Sequence, residues 1–120
     1  MWHTVQVIGH LGRDPESRQT ASGEVVRFSV ATTRRWTGQD GQQREETVWF
    51  QVSAFGKLAE VCRQHLSRGR LVLVEGRLQP DEGGNPRLWT GQDGQPRAAY
   101  DLVADNVVFL DAPRGERENG

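Results

Sequence analysis

Glu46-Thr47-Val48-Trp49-Phe50-Gln51-Val52-Ser53-Ala54-Phe55 carries the clearest pattern in the chain. Strand side chains alternate between two faces. Val48, Phe50, Val52 and Ala54 therefore share one side, while Trp49, Gln51, Ser53 and Phe55 share the other. The first side is a core face. The second sets Gln and Ser between two large aromatics, which suits neither a packed core nor a plain solvent face. It is either an oligomer interface or a platform for flat rings, and the platform fits better, because every base offers a π-face to an exposed aromatic.

The flanking segments extend this strand into a sheet. Upstream, Val25 to Trp36 reads as a long strand with Val26, Phe28 and Val30 on one face, and Val5 to Gly12 as a shorter one closed by Arg13-Asp14-Pro15. Downstream, Lys57 to Arg68 is the one convincing helix, with Leu58, Cys62 and Leu66 on one side and Gly69 as its stop. Arg70 to Gln79 is a strand whose Leu71-Val72-Leu73-Val74 is apolar on both faces, hence central or covered. Pro80 to Pro86 is a Gly-rich loop, and Arg97 to Leu102 and Asn106 to Leu110 finish the sheet. This order predicts an all-β domain with one helix between strands 3 and 4. It is the order of an OB-fold, a five-stranded Greek-key barrel, here with extended hairpins. Residues 1–110 form that domain, and residues 111–120, with nothing to bury, read as a disordered tail. A fold alone does not establish a function.

The heptapeptide Trp-Thr-Gly-Gln-Asp-Gly-Gln occurs twice, at Trp36 to Gln42 and at Trp89 to Gln95, each time followed two residues on by an arginine, Arg44 or Arg97. Asp-Gly supplies the positive-φ positions of a tight hairpin turn. Each copy thus reads as a Trp closing one strand, a loop, and an Arg opening the next. A ring beside a guanidinium suits an unpaired base and its phosphate. The alternative is a hairpin whose Trp caps the core.

Composition narrows the classes. With 120 residues the chain is one domain. Cys62 is the single cysteine, so neither a disulfide framework nor a zinc quartet is expected, which favours a reducing compartment. There is no long apolar run and no leader pattern, which predicts a soluble, cytoplasmic protein. The net charge of −1 argues against a polycation coating duplex DNA by charge alone, so any nucleic-acid contact must be local. Fourteen of the fifteen cationic side chains are Arg, which both stacks and forks onto phosphate. Gly56-Lys57 is no P-loop, because Leu58 replaces the Ser/Thr that would hold Mg²⁺. Gly38-Gln39-Asp40-Gly41 joins strands rather than the helices a KH loop joins. His3, His10 and His65 are scattered without a metal-ligand pattern. No enzyme activity, metal or cofactor is expected.

Several segments together resemble the bacterial-type single-stranded DNA-binding protein family across roughly residues 4 to 110. They are Val7-Ile8-Gly9-His10-Leu11-Gly12-Arg13-Asp14-Pro15-Glu16, the run from Trp49 through Phe55-Gly56-Lys57-Leu58-Ala59-Glu60, Val74-Glu75-Gly76-Arg77-Leu78, and the Trp-x-x-x-x-Gly segment at Trp89. The resemblance implies base stacking on Trp36, Trp49, Phe55 and Trp89, with phosphate contacts from Lys57, Arg68, Arg87 and Arg97. Arg34, Arg35 and Arg44 flank Trp36 and can serve in the same way without being specified by the family. It also implies a homotetramer binding single-stranded DNA in replication, recombination and repair, in the cytoplasm at the nucleoid. Trp36 shares the parity of Phe28 and Val30, so its ring needs a bulge or strong twist to face DNA.

The sequence departs from the family at four places. His10 replaces a usual Asn. Phe50 and Gln51 stand where polar or basic residues are common, and Gln51 removes one expected phosphate contact. Pro80 to Pro86 is an insertion ahead of Trp89. The tail ends Glu118-Asn119-Gly120 without the family's acidic tip and terminal Phe, so it is either cut short or lacks that route to replication and repair proteins. Two rival readings remain, an OB-fold whose aromatics meet protein and an RNA chaperone resembling a cold-shock domain.

Overall fold

The computed structural model describes residues 1–111. In chain order the elements are β1 (Val5–Leu11), β2 (Glu16–Thr20), β3 (Gly23–Thr37), β4 (Gln43–Phe55), α1 (Gly56–His65), β5 (Leu71–Leu78), β6 (Leu88–Thr90), β7 (Pro96–Ala98) and β8 (Tyr100–Phe109). The main sheet runs β1-β5-β8-β4-β3-β2, and a further pairing of β1 with β3 closes β1, β5, β8, β4 and β3 into a five-stranded barrel. The helix stands between β4 and β5. This is the OB-type barrel that the order of elements predicts.

Inside the barrel lie the inward residues of its five strands, including Val7, Val26, Phe28, Val30, Val52, Val72, Val74 and Leu102. The helix adds Ala59 and Cys62 to this core and its C-cap adds Leu66, with Leu58 only partly buried against it. Val72 and Val74 are buried on the strand read as apolar on both faces, whose Leu71 and Leu73 are half-buried on its outer side. Closure bends the chain sharply where β5 meets β8, with a register shift between Glu75 and Gly76. Gly76 is required there, because a Cβ would run into the Val103 carbonyl.

Four details differ from the sequence reading. First, β2 pairs with β3 from Glu16↔Arg27 to Thr20↔Gly23, yet all five of its residues are exposed, so no apolar alternation announced it. Second, α1 ends at His65 rather than Arg68. Leu66 leaves the helical region at φ −88°, ψ 145° while its N–H still bonds the Cys62 carbonyl, and Gly69 (φ +87°) turns the chain afterwards. Third, the final two segments are β7 and one continuous β8, which crosses β5 antiparallel and β4 parallel. Fourth, Asp111 is tied to the barrel. Arg70, itself buried, donates from Nε to Asp111 Oδ1 at 2.8 Å and from Nη2 to its carbonyl at 2.9 Å. The rest of the expected tail lies outside the described residues.

Both repeated heptapeptides form hairpin tips with the same bonds. Asp40 accepts the Gln42 N–H at 3.1 Å and holds Arg44 at 2.7 Å, and Asp93 accepts the Gln95 N–H at 3.0 Å and holds Arg97 at 2.8 Å. Gly41 and Gly94 both sit at φ +79°. The β3–β4 tip caps a long arm, whereas β6 and β7 form a separate two-stranded ribbon.

Candidate nucleic-acid interface

Period-2 alternation places Trp49 and Phe55 on the outer face of β4, and there both rings stand about half exposed, each at 48%. Along the β3–β4 ladder that face carries the rungs Ala31↔Trp49, Ser29↔Gln51, Arg27↔Ser53 and Val25↔Phe55. Ser29 and Ser53 are buried beneath it. Trp49 has a fixed seat, because its six-membered ring lies over Gly12. A Cβ at Gly12 would stand 2.5 Å from Trp49 Cζ3 and 2.8 Å from Cη2.

The β6–β7 ribbon brings Trp89 opposite Trp49 across an open groove of about 720 Å³, with Arg87, Gln51 and Tyr100 also on its walls. Arg87 is held by a two-pronged bond to Asp101, from Nε to Oδ2 at 2.8 Å and from Nη2 to Oδ1 at 3.1 Å. That bond raises the Arg87 pKa above its ordinary value, against a small opposing effect of burial. The guanidinium is therefore a fixed charged group on the wall of the groove that both rings line. Gln51 and Arg87 also line an adjoining groove of about 370 Å³, together with Arg13, Arg27, Ser29 and Glu16.

Trp36 lines neither groove. The bulge expected before it is absent, since β3 and β4 stay in register from Val25↔Phe55 to Thr37↔Gln43. Trp36 keeps the parity of Phe28 and Val30, but it lies beyond the barrel on the free arm, where that face has no core to cover. Its ring is exposed, and the Arg34 guanidinium lies over it at 4.5 Å from the centroid. The other arm arginines are engaged as well. Arg35 pairs with Glu45 at 3.0 Å, Arg44 with Asp40 at 2.7 Å, and Arg34 lies 3.9 Å from Glu46. On the second tip Arg97 pairs with Asp93 at 2.8 Å. Lys57 sits in the first turn of α1, two residues past Phe55. The Arg68 N–H donates to Asp14 Oδ1 at 2.8 Å, beside the smaller groove.

With that geometry in view, comparison with known proteins is decisive. The model of the single-strand binding protein family matches residues 2–110. The chain belongs to the single-strand binding protein family. The single-stranded DNA-binding protein of Neisseria meningitidis serogroup B is 44% identical over 117 residues, which cover 97% of this chain and 63% of that protein. Single-stranded DNA-binding protein 1 of Chlorobaculum tepidum is 42% identical over 110 residues, 90% of this chain and 64% of the relative. The chain thus spans a little under two thirds of these relatives' length. Among solved structures, the small single-stranded DNA-binding protein from Streptomyces coelicolor is similar at a TM-score of 0.72 and 28% identity, covering 89% of this chain and 93% of that one. The Plasmodium falciparum SSB in complex with ssDNA has a TM-score of 0.73 at 23% identity, covering 92% and 97%, and shares the fold.

In this single-strand binding family member, eight of the predicted site residues fall into three groups, apart from Arg35 on the arm, Arg97 on the second tip and Arg68 beside Asp14. Trp49, Trp89 and Arg87 meet at one groove, Trp36 joins Arg34 and Arg44 on the arm, and Phe55 stands with Lys57 where β4 enters α1. Tyr100, Arg13 and Arg27 line the grooves as well, outside the set that the sequence singles out. Arg27 was legible, because its parity opposes Val26 and Phe28 and so puts it on the face of Trp49. Tyr100 carries no local signal, since it reaches the groove only by the β8 crossing to Phe50, on whose ring it tilts at 5.8 Å.

Proposed function

We propose that this protein binds single-stranded DNA with little sequence preference, and so protects and organises it in replication, recombination and repair. One observation carries the reading: Trp49 and Trp89 open onto one groove that the fixed Arg87 guanidinium also lines. Bases stack on the rings at about 1–3 kcal/mol each and the cation takes the phosphate charge. Phe55 extends the same face and Trp36 offers a further ring on the arm, with Arg34, Arg35, Arg44, Lys57, Arg68 and Arg97 as supporting charges. Duplex DNA is refused because its bases are already stacked on each other. No catalytic step is involved. The names of the relatives support the reading, as does the neighbour solved with ssDNA.

The protein acts in the cytoplasm at the nucleoid, as a homotetramer. An outer face of β1, β5 and β8 supports the assembly, where Ile8, Leu73 and Val108 form an apolar row in register across three strands. Ile8 is 58% exposed in the single chain. Replication and repair proteins are further partners. Among the described residues no helix is long and apolar enough to cross a membrane.

Intrinsic Trp fluorescence tests the reading. Adding oligo-dT should quench it sharply, a matched duplex should not, and matched RNA should compete poorly. A signal unmoved by oligo-dT at micromolar protein would sink the proposal, and RNA competing as well as DNA would favour an RNA chaperone.

A further inference from the structure

The described arginines near the rings divide by whether a carboxylate already holds them. Arg34, Arg35, Arg44, Arg87 and Arg97 are all ion-paired within the chain. Arg13 and Arg27 have no carboxylate among the described residues within ion-pair distance, and both face the groove of about 370 Å³ beside Trp49. Arg27 occupies the outer face of β3 opposite Ser53, between the Trp49 rung and the Phe55 rung. Arg13 follows Gly12, the seat of the Trp49 ring. The two grooves adjoin, since Gln51 and Arg87 line both. Arg13 and Arg27 thus offer two unpaired guanidiniums to a strand that runs from Trp49 toward Phe55 along the outer face.

Acidic groups border the same groove. Asp14 accepts the Arg68 N–H, and Glu16 is the cross-strand neighbour of Arg27 without pairing to it. Neither occupies the two guanidiniums. We propose that this groove is a phosphate subsite, in which Arg13 and Arg27 neutralise the backbone between the base on Trp49 and the base on Phe55. The proposal rests on the reading of the protein as a binder of single-stranded DNA.

The physical consequence is an ion count. A free arginine that meets a phosphate releases a counterion, which adds about 0.7 to the salt slope for a single strand. A paired arginine first frees its carboxylate, which gathers a cation and cancels part of that release. Oligo-dT titrations across a salt series are therefore the test, using wild type, Arg13→Gln, Arg27→Gln, the double variant and Arg35→Gln. Each of the first two variants should lower the slope by about 0.7 and the double by about 1.4. Arg35→Gln should lower it less, and Arg27→Lys should restore the wild-type slope. Unchanged slopes in the Arg13 and Arg27 variants, with binding intact, would overturn the subsite and leave the reading standing. Absence of wild-type binding would overturn the reading and the subsite with it.

Discussion

Among the rings proposed to stack bases, Trp49 has a defined seat, because a glycine makes room for it. Its outward direction follows from period-2 alternation in β4, so the residue was legible in the sequence, as was Phe55. Its seat was not, because Gly12 reaches it from another strand. Gly12→Ala would bring a Cβ to 2.5 Å from Trp49 Cζ3, so the ring must shift off the barrel. We expect this variant to lose part of what Trp49→Ala loses, which is about 1–3 kcal/mol of binding. Titration of oligo-dT with both variants checks this, and wild-type affinity in Gly12→Ala would show that the ring needs no fixed seat. The repeated heptapeptide singles out Trp89 and the family resemblance alone points to Arg87, while no local pattern says that the β6–β7 ribbon shares a groove with β4. Tyr100 was out of reach for the same reason. For Trp36 the parity holds along the continuous ladder, but on the arm that face covers no core and the ring is exposed.

Elements were legible where burial imposes a period and obscure where it does not. Alternation marked β3 and β4 and an unbroken apolar run marked β5, whereas β2 is exposed along its whole length and is held by backbone pairing to β3. The twin tips were readable as hairpins because Asp-Gly demands that turn, although nothing showed that Asp40 and Asp93 would hold Arg44 and Arg97. In α1 the buried stripe gave the helix away, and Ala59 and Cys62 are fully covered. Its C-terminal end was misplaced because Leu66 breaks helical geometry three residues before Gly69 to reach the core. Burial pushes the Cys62 thiol up from 9.0 to about 11. Between those values the unfolded chain releases its proton and the folded chain keeps it, so stability is full below pH 9 and falls as the pH rises toward about 11. Denaturant unfolding across that window should show the decline in wild type and a shallower one in Cys62→Ala. Equal slopes would mean that the thiol titrates freely in the folded state.

At the scale of the whole molecule, the order of elements was enough to predict the barrel, yet the binding surface depends on non-local crossings. β8 alone pairs with both β4 and β5, and that crossing brings Tyr100 to Phe50 and Asp101 to Arg87. The same crossing lays Val108 beside Leu73 and so completes the apolar row with Ile8 on the outer face of β1, β5 and β8. Next to this row the Gln6 amide donates to Glu75 at 3.2 Å and the Asn106 amide donates to Glu75 at 3.4 Å. That polar ladder would fix the register of a second copy packed on the row. A homotetramer built there loses its contact when a charge is placed at the centre of the row, because a buried unpaired carboxylate is strongly disfavoured. Ile8→Glu changes only an outward side chain, so the barrel should keep its circular dichroism and thermal transition. Native mass spectrometry should then find one or two 13.5 kDa chains together where four are expected of wild type. Short oligo-dT should still bind, because each subunit keeps its own grooves. Long oligo-dT should lose affinity by about 10²-fold or more, because linked sites no longer act at high effective concentration. A variant that stays tetrameric would place the interface on another face, and one that turns monomeric without losing long-strand affinity would show that wrapping contributes little.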